Sequence, residues 1–313
     1  MNATSGPKIS ILIPSYNHAN YIEKTVRSVW EQNYRNLEII IVDDGSTDNS
    51  RNVLAELQRI SPITMVVIEQ ENAGICSTLN RALEVSKGEI IGFLASDDIM
   101  LPDRLNQEAC QFTQKSTLKV LYSNGKFQAD NKIFGDVHEK IKRYFKRGVN
   151  ATRDHLLSTA PGLYIQAMLI KRDFLLSLGG FDEETGSDDW SLNIRIFRTL
   201  TSAEEFSFID RFSFLYRVHK NQMHRGSGFM TPMKRKVVRK FFSLENRSKF
   251  TCQNYTKKAF GLFLSGEIKN SRRYIYKAYY ISASKGLPLL CILRFCIELP
   301  AYAYREISRR LKK

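Results

Sequence analysis

Four short apolar runs, each followed by a polar cluster and then by a helical pattern, constrain the fold of this chain more than any other feature. The runs are rich in β-branched residues, and the segments between them repeat apolar residues with a helical period. This alternation predicts β-α-β units and a largely parallel sheet flanked by helices, that is, an α/β fold. The predicted strands are 9–13, 37–42, 64–68 and 89–94; the predicted helices are 22–31, 49–59, 75–86 and one that starts at Pro102.

Polar clusters follow all four predicted strands, at the point where each strand ends. Ligands of open α/β sheets bind at the carboxyl ends of the strands. We therefore expect the clusters to meet in one crevice. They are Pro14-Ser15-Tyr16-Asn17, Asp43-Asp44-Gly45-Ser46-Thr47-Asp48, residues 69–74 and Ser96-Asp97-Asp98.

Asp43 and Asp44 stand at the end of the second strand, directly before the second helical pattern. A carboxylate there can accept hydrogen bonds from the N–H groups of a nucleotide base or from a ribose hydroxyl. Gly45 allows the chain to turn sharply. The alternative is a helix cap, although Ser46 or Asp48 could supply the cap without two further carboxylates.

Asp97 and Asp98 follow the apolar run that forms the fourth predicted strand. Adjacent carboxylates beyond a buried strand are unfavourable unless a cation or hydrogen-bond donors compensate them. Mg²⁺ or Mn²⁺ fits, because such ions prefer oxygen ligands and complete their shell with water and substrate phosphates. The pair predicts a divalent-cation site, with capping of the helix after Pro102 as the alternative.

Two further groups carry chemistry in the second half of the chain. Asp189 stands at the start of a helical pattern, where a carboxylate can act as the general base for an acceptor hydroxyl or simply cap the helix. His219 can ligate a metal, and Arg217 can neutralise the charge of a diphosphate. Taken alone, a single His or Arg on a strand is more often an ordinary surface or core residue. The basic segment 139–153 between the two halves predicts a mobile loop over the crevice.

The order and spacing of these motifs resemble glycosyltransferase family 2 across residues 8–219. The resemblance implies the GT-A fold, a nucleotide-sugar donor, Mn²⁺ or Mg²⁺ as cofactor, and inversion at the anomeric carbon. The matching segments are Pro14-Ser15-Tyr16-Asn17, Asp43-Asp44-Gly45-Ser46-Thr47-Asp48, Asn72-Ala73-Gly74, Ser96-Asp97-Asp98, Gly179-Gly180-Phe181-Asp182-Glu183, Asp188-Asp189 and Tyr216-Arg217-Val218-His219.

The resemblance also implies roles for individual residues. Asp189 is the implied general base, Asp44 the implied partner of a uracil ring, and the implied metal ligands are Asp97, Asp98 and His219. The full set of implied donor-binding residues is Pro14, Ser15, Tyr16, Asp43, Asp44, Asn72, Gly74, Ser96, Asp97 and Arg217.

Three departures from the family pattern matter. Ala95 occupies the first position of the usual Asp-x-Asp metal motif, which shifts the predicted metal binding onto Asp97 and Asp98. The usual Glu-Asp of the base motif is Asp188-Asp189 here. A Gln-x-x-Arg-Trp motif is lacking, which resembles transferases that add a single sugar rather than processive synthases.

The charge of the chain is unevenly distributed. The 313 residues carry a net charge of +15, yet residues 225–313 hold 21 Lys and Arg against 4 Asp and Glu. We predict a catalytic domain at 1–224 and a basic helical extension at 225–313. Apolar residues around 287–297 and basic residues up to Lys313 favour contact with an anionic membrane surface over an ordinary packed helix.

These observations predict an inverting glycosyltransferase that moves a sugar, most simply from a UDP-sugar, to a glycan or lipid-linked acceptor in bacterial O-antigen, capsule or exopolysaccharide synthesis. Scattered cysteines and an N-terminus without signal-peptide character predict a cytoplasmic location at the inner face of the membrane. The alternatives are a glycosyltransferase-like scaffold without activity, suggested by Ala95, and a nucleic-acid-binding protein that uses the basic tail. Paired carboxylates at strand ends argue against nucleic acid as a partner. A dehydrogenase is disfavoured because GxGxxG does not follow the first strand.

Overall fold

The computed structural model describes residues 6–130, 132–158, 163–219, 230–264 and 266–284. The chain divides into two compact units, the first comprising residues 1–156 and 160–237 and the second residues 157–159 and 238–313. The boundary at residue 237 falls within helix α9 (Met230–Phe241). The predicted boundary between residues 224 and 225 lies outside the described residues.

The first half of the chain forms the predicted β-α-β units. Its strands are β1 (Ile9–Ser15), β2 (Leu37–Asp44), β3 (Thr64–Gln70) and β4 (Ile90–Phe93). Its helices are α1 (Ile22–Trp30), α2 (Ser50–Ile60) and α3 (Ile75–Val85). The four strands pair in parallel in the order β3-β2-β1-β4, which confirms the predicted α/β fold class.

Burial explains why these segments adopt these structures. The strand β2 is buried along its whole length, as expected for a central parallel strand covered on both faces. On α1, the fully buried Ile22, Val26 and Val29 recur every three or four residues and pack into the same core as Ile9 and Ile39 of the sheet. The apolar periodicity therefore fixes which face of the helix meets the sheet.

The second half adds short elements to the same sheet. Its strands are β5 (Ile99–Met100), β6 (Val120–Ala129), β7 (Lys132–Asp136), β8 (Met168–Lys171) and β9 (Phe206–Arg217). Its helices are α4 (Arg104–Gln114), α5 (Lys142–Phe145), α6 (Val149–Leu156), α7 (Arg172–Ser177) and α8 (Trp190–Thr199). Here the sheet is mixed: β8 runs antiparallel to β4 and β6, and β9 runs parallel to β6 and antiparallel to β5.

The segment 139–153, predicted as a loop, is largely helical. It contains α5 and the start of α6, and Phe145 and Leu156 on these helices are buried. Trp190 donates a hydrogen bond from Nε1 to the carbonyl oxygen of Leu156 at 3.0 Å. The loop prediction was wrong because it gave weight to the many basic residues. The few apolar residues among them pack the segment against α8.

The second unit contains α10 (Leu244–Leu264) and α11 (Ile268–Ser284), which pack against each other. Gly266 lies between these two helices and has a φ of +81°. The described part of residues 225–313 therefore contains α9, α10 and α11. Within the described residues, no helix is long and apolar enough to cross a membrane. The apolar and basic tail at 286–313, predicted to contact a membrane, lies outside the described residues.

Candidate active site

The loops after β1 and β2 are joined by hydrogen bonds. Asn17, which has a φ of +54°, accepts hydrogen bonds at its Oδ1 from the backbone N–H of Thr47 at 2.7 Å and of Asp48 at 3.3 Å. The Asn17 N–H donates in turn to Ser46 Oγ at 2.9 Å. These contacts make one wall from two polar clusters that are about thirty residues apart in the sequence.

Asp43 and Asp44 are both buried, and both have hydrogen-bond donors nearby. Asp43 accepts from the N–H of Ser46 at 2.8 Å and from its Oγ at 2.6 Å. Asp44 accepts from the N–H groups of Ala73 at 2.8 Å and Gly74 at 2.9 Å. The two carboxylates therefore order the loops that follow β2 and β3.

The remaining predicted donor-binding residues of this region differ in their exposure. Tyr16, Asn72 and Gly74 are exposed. Ser15 is buried, and its Oγ has no hydrogen-bond partner among the described residues. A buried hydroxyl without a partner is uncommon, so Ser15 retains a hydrogen-bonding capacity that a ligand could use.

Asp97 lies between two histidines. Its Oδ2 is 2.9 Å from Nε2 of His219 and 3.8 Å from Nε2 of His18. One ligand atom from each of the three residues lies within 4.8 Å of the other two, a spacing at which one ion can contact all three. His219 stacks on Tyr21 with ring centroids 4.3 Å apart. Its Nδ1 is buried without a hydrogen-bond partner among the described residues.

His18 belongs to this group although the sequence did not single it out. Its Nδ1 is 2.7 Å from Ser96 Oγ. Burial lowers the pKa of His18, while the charge of Asp97 acts in the opposite direction. The imidazole is therefore neutral at pH 7 and can use a nitrogen lone pair.

Asp98, the other predicted metal ligand, is not part of this group. Its Oδ1 accepts the backbone N–H of Arg217 at 3.0 Å, and its Oδ2 accepts from Nε2 of Gln166 at 2.8 Å. Burial, and then the charge of Asp97, raise the pKa of Asp98 well above its ordinary value. The adjacent carboxylates thus face different surroundings, and the structure brings Asp97 rather than Asp98 to the histidines.

Arg217 connects the end of β9 to two other segments. Its guanidinium donates to the carbonyl oxygen of Asp97, to Thr25 Oγ1 at 2.7 Å and to the carbonyl oxygen of Tyr21 at 3.2 Å. It also lies over the Tyr21 ring, 5.3 Å from the centroid. These contacts position the loop that carries Asp97 against the start of α1.

Asp189 is the N-cap of α8, and its Oδ1 accepts the backbone N–H of Trp190. It does so beside Asp188, whose pKa burial and the charge of Asp189 raise to about 7. Tyr164 relates this pair to the other carboxylates: burial, and then the charges of Asp189 and Asp98, raise its pKa to about 12. The Tyr164 ring also lies 5.0 Å from that of Tyr216. Contacts place the segment around Tyr164 beside both carboxylates: Asn193 Nδ2 donates to the carbonyl oxygens of Leu163 at 3.1 Å and Asp189 at 2.7 Å, and Gln166 donates to Asp98.

The loop before Asp188 is attached to α3 by Asn80, another residue that the sequence did not single out. Its Oδ1 accepts the backbone N–H of Phe181 at 2.7 Å, and its Nδ2 donates to the Phe181 carbonyl at 2.9 Å. Asn80 lies about a hundred residues before Phe181, and nothing in its local pattern distinguishes it from other polar helix residues. Only the pairing of distant segments reveals this contact.

Comparison with known families assigns the first half of the chain to a family. Residues 10–165, about half of the chain, match the family model described as glycosyl transferase family 2. The chain contains a glycosyl transferase family 2 domain. This family 2 domain includes β1 from its second residue onward, β2 to β4, Asp44 at the end of β2 and the loop that carries Asp97.

The curated relatives are similar to this chain over only part of their own length. The putative teichuronic acid biosynthesis glycosyltransferase TuaG of Bacillus subtilis is 42% identical over 102 residues, which cover 33% of this chain and 40% of TuaG. The chain spans less than half the length of the curated relatives that it matches.

Solved structures extend the likeness beyond the family 2 domain. A crystal structure of S. aureus TarS 1–349 in complex with UDP-GlcNAc has a TM-score of 0.59 at 15% identity, covering 89% of this chain and 92% of that one. The mannosyltransferase PcManGT from Pyrobaculum calidifontis, in complex with GDP-Man and Mn²⁺, has a TM-score of 0.57 at 20% identity, covering 98% and 84%. These similarities confirm the GT-A fold.

Proposed function

We propose that this chain is an inverting glycosyltransferase that moves a sugar from a nucleotide-sugar donor to a hydroxyl of a glycan or lipid-linked acceptor. The observation that carries the proposal is that one short segment, residues 163–166, contacts the surroundings of two chemically different groups. Asn193 donates from Nδ2 to the carbonyl oxygens of both Leu163 at 3.1 Å and Asp189 at 2.7 Å, and Gln166 donates from Nε2 to Asp98 Oδ2 at 2.8 Å. Asp98 directly follows the candidate metal ligand Asp97. A displacement at the anomeric carbon needs both a base for the acceptor and stabilisation of the leaving diphosphate.

The donor side of the proposed site is formed by the loops after β1, β2 and β3. The exposed Tyr16 and Asn72 and the unpartnered Ser15 Oγ are available to a nucleoside, whereas Asp44 acts mainly by ordering the 73–74 loop. TarS has been crystallised with UDP-GlcNAc, and PcManGT with GDP-Man. We propose a UDP-sugar as the donor.

The cation side fits Mn²⁺ or Mg²⁺. Asp97 and His219 would hold the ion, and PcManGT was crystallised with Mn²⁺. When bound, a divalent cation stabilises the negative charge that develops on the departing nucleoside diphosphate. Arg217 would contribute through its contacts with the Asp97 loop, which keep that carboxylate facing His219.

The acceptor side centres on Asp189. A carboxylate at this position would accept the proton of the acceptor hydroxyl as the oxygen attacks the sugar from the face opposite the leaving group. Backbone hydrogen bonding at the N-terminus of α8 fixes the orientation of the Asp189 side chain. The buried Asp188 beside it tends to be protonated, which avoids two adjacent negative charges.

The proposal also includes a pathway and a cellular location. The relative TuaG is described as a putative teichuronic acid biosynthesis glycosyltransferase, and we propose synthesis of a bacterial surface polysaccharide as the pathway here. The net positive charge of residues 225–313 favours a location at the anionic inner face of the cytoplasmic membrane, near a lipid-linked acceptor.

The decisive experiment is a panel of UDP-, dTDP- and GDP-sugars incubated with the full chain and Mn²⁺ or Mg²⁺. We expect one donor class to release nucleotide, faster when a lipid-linked acceptor is present and not at all in EDTA. The matched control is the Asp189→Asn variant, which should bind the same donor without acceptor-stimulated release. Failure of every donor both to bind and to react would contradict the proposal and favour the scaffold alternative.

A further inference from the structure

We infer that His18 is a metal ligand, and that with Asp97 and His219 it forms a two-histidine, one-carboxylate centre that prefers transition-metal ions such as Mn²⁺, Co²⁺ or Zn²⁺ over Mg²⁺. The inference deepens the proposed function by assigning a ligand and a metal preference to the same site. The inference rests on the proposed function only where it gives the ion a role in sugar transfer. Binding of the ion by these three residues does not depend on that function.

The distances suit direct ligation. Ligand atoms bound to one ion at about 2.1 Å lie about 3.0–3.4 Å from each other in octahedral or tetrahedral geometry. The two histidine nitrogens lie 2.9 Å and 3.8 Å from Asp97 Oδ2, on either side of that range. The ligand atoms of the two histidines lie within 4.8 Å of each other, so shifts of about an ångström would let the three groups enclose an ion.

The orientation of the His18 ring supports the same role. Histidines that bind metals usually donate their second ring N–H to a neighbouring oxygen, which fixes the tautomer. In His18, Nδ1 lies 2.7 Å from Ser96 Oγ, so Nε2 is left to face Asp97. The backbone N–H of His18 donates to Ser50 Oγ at 3.1 Å, and its ring meets that of Tyr21 edge-on at 5.8 Å. The side chain is held in place before any ion arrives.

The donor set determines which ions the site prefers. Ala95 removes the first carboxylate of the Asp-x-Asp pattern, and Asp98 is engaged by Arg217 and Gln166. Two imidazoles and one carboxylate remain. Imidazole nitrogen is a good ligand for first-row transition metals, whereas Mg²⁺ strongly prefers oxygen. A site that has exchanged carboxylate for imidazole should therefore discriminate against Mg²⁺.

Metal binding can be measured without turnover. Full-length protein freed of metal with EDTA would be titrated with Mn²⁺, following the EPR signal of the free ion, and with Co²⁺, following the visible absorption bands of the bound ion. Each titration would be run alone and with UDP or GDP. We expect Mn²⁺ to bind at least about 10-fold more tightly than Mg²⁺ in competition, and His18→Ala to weaken Mn²⁺ and Co²⁺ binding by about 10–100-fold.

Three further variants sharpen the test. His18→Asp restores an oxygen ligand, so it should recover divalent-ion binding while shifting the preference toward Mg²⁺. Ser96→Ala, which removes only the partner of Nδ1, should weaken Mn²⁺ binding by up to about 10-fold. His155→Ala is the matched control, because His155 stacks on Tyr144 at 3.7 Å, outside the metal group; it should bind Mn²⁺ as the unsubstituted chain does.

The inference is overturned if folded His18→Ala protein binds Mn²⁺ and Co²⁺ with unchanged affinity, or if the unsubstituted chain binds Mg²⁺ as tightly as Mn²⁺. The thermal transition of each variant establishes that it is folded. These outcomes are independent of the donor panel: a chain that transfers sugar with a metal held without His18 would retain the proposed function, and a chain that binds Mn²⁺ through His18 without reacting would lose only that function.

Discussion

Arg217, at the end of a strand, contacts two segments that are distant from it in the sequence. Its guanidinium donates to oxygens of Asp97, Thr25 and Tyr21, so one side chain joins β9, the loop after β4 and the start of α1. The pattern Tyr-Arg-Val-His indicated a charge that could meet a diphosphate. The contacts indicate in addition that this arginine holds the candidate metal ligand in position.

Replacing Arg217 by Lys should therefore destabilise the protein even though the charge is kept. A single ammonium cannot reach the separate acceptors of a planar guanidinium, and half-buried oxygens would lose their donors. We expect the free energy of unfolding in urea to fall by about 1–3 kcal/mol. Arg27→Lys is the matched control, because Arg27 pairs with the exposed Glu23, and it should change stability by less than about 0.5 kcal/mol. Unchanged stability with weakened donor affinity would instead assign Arg217 to the diphosphate alone.

Replacing Asp189 by Asn separates its two possible roles. The amide oxygen of Asn can still accept the Trp190 N–H, and Asn is as good an N-cap as Asp, so the thermal transition should move little. The amide cannot accept the acceptor proton, and we expect kcat to fall by at least about 100-fold while the dissociation constant of the donor stays within about two-fold. An active Asp189→Asn enzyme would leave Asp189 as a cap only.

Asp188 should make stability depend on pH. Its pKa in the folded chain is raised to about 7, so between pH 4 and 7 the folded state holds this proton more tightly than the unfolded state does. The stabilisation is fully present below about pH 4, is lost progressively as the pH rises from about 4 to 7, and does not change further above that. Asp188→Asn should therefore gain stability relative to the unsubstituted chain at pH 8, by about 1 kcal/mol or more, and lose this advantage near pH 4.

The measurement is urea unfolding at pH 4, 5, 6, 7 and 8. Asp154→Asn, on the exposed face of α6, serves as the control and should leave the profile unchanged. Parallel profiles for Asp188→Asn and the unsubstituted chain would show that this carboxyl does not titrate in the predicted range.

At the residue scale, the sequence singled out Asp97, Asp189 and His219 but not His18. The first three belong to motifs whose residue types indicate their chemistry. His18 directly follows a recognised motif, yet a single histidine has no distinguishing pattern. Its significance depends on facing Asp97 across the chain, a contact between residues about eighty positions apart. Tyr164 was not predicted as a site residue for the same reason.

At the scale of elements, periodicity predicted the first half well. The observed α1, α2 and α3 each begin and end within about one residue of their predicted bounds, because their buried residues repeat at a helical spacing. The second half was less predictable. The strands β5 and β8 are only two and four residues long, too short for a periodic signal, and their place in the sheet depends on long-range pairing with β9 and β4.

The loop between α7 and α8 offers a test of how one element positions the site. Gly180 and Gly186 have φ values of +63° and +65°, so replacing either by Ala carries a similar backbone cost of about 1 kcal/mol. A Cβ on Gly180 would lie 2.7 Å from Asn80 Oδ1, whereas a Cβ on Gly186 meets nothing within 4 Å. Gly180→Ala disturbs the contact of Asn80 with Phe181; Gly186→Ala does not.

We therefore expect Gly180→Ala to lower the free energy of unfolding by about 1–2 kcal/mol more than Gly186→Ala does. Because Asp189 follows this loop, Gly180→Ala should also reduce kcat more strongly. Urea unfolding of both variants with a parallel transfer assay provides the measurement. Equal losses in the two variants would show that backbone strain alone, and not the attachment to Asn80, determines the effect.

At the scale of the whole molecule, charge separates the two parts of the chain more clearly than any motif does. Residues 1–224 hold 26 Lys and Arg against 28 Asp and Glu, whereas residues 225–313 carry a net charge of +17. Within the second part, α11 presents exposed Arg272, Arg273 and Lys277 together with the exposed Tyr276 and Tyr280. Tyrosine and basic side chains together suit the headgroup region of an anionic membrane.

The membrane proposal predicts that the full chain sediments with vesicles containing anionic lipid, and less so as salt is raised, because a Debye length of about 8 Å at 0.15 M screens surface charge. Replacing Arg272, Arg273 and Lys277 together by Gln should release a large part of the bound protein, since each basic residue near the surface contributes about 1 kcal/mol. Truncation after residue 285 tests the apolar tail separately. The matched control replaces the exposed Lys24, Arg35 and Lys87 of the first unit by Gln, which changes net charge equally. Equal losses in the control and the α11 variant would mean that net charge, rather than the C-terminal extension, governs vesicle binding.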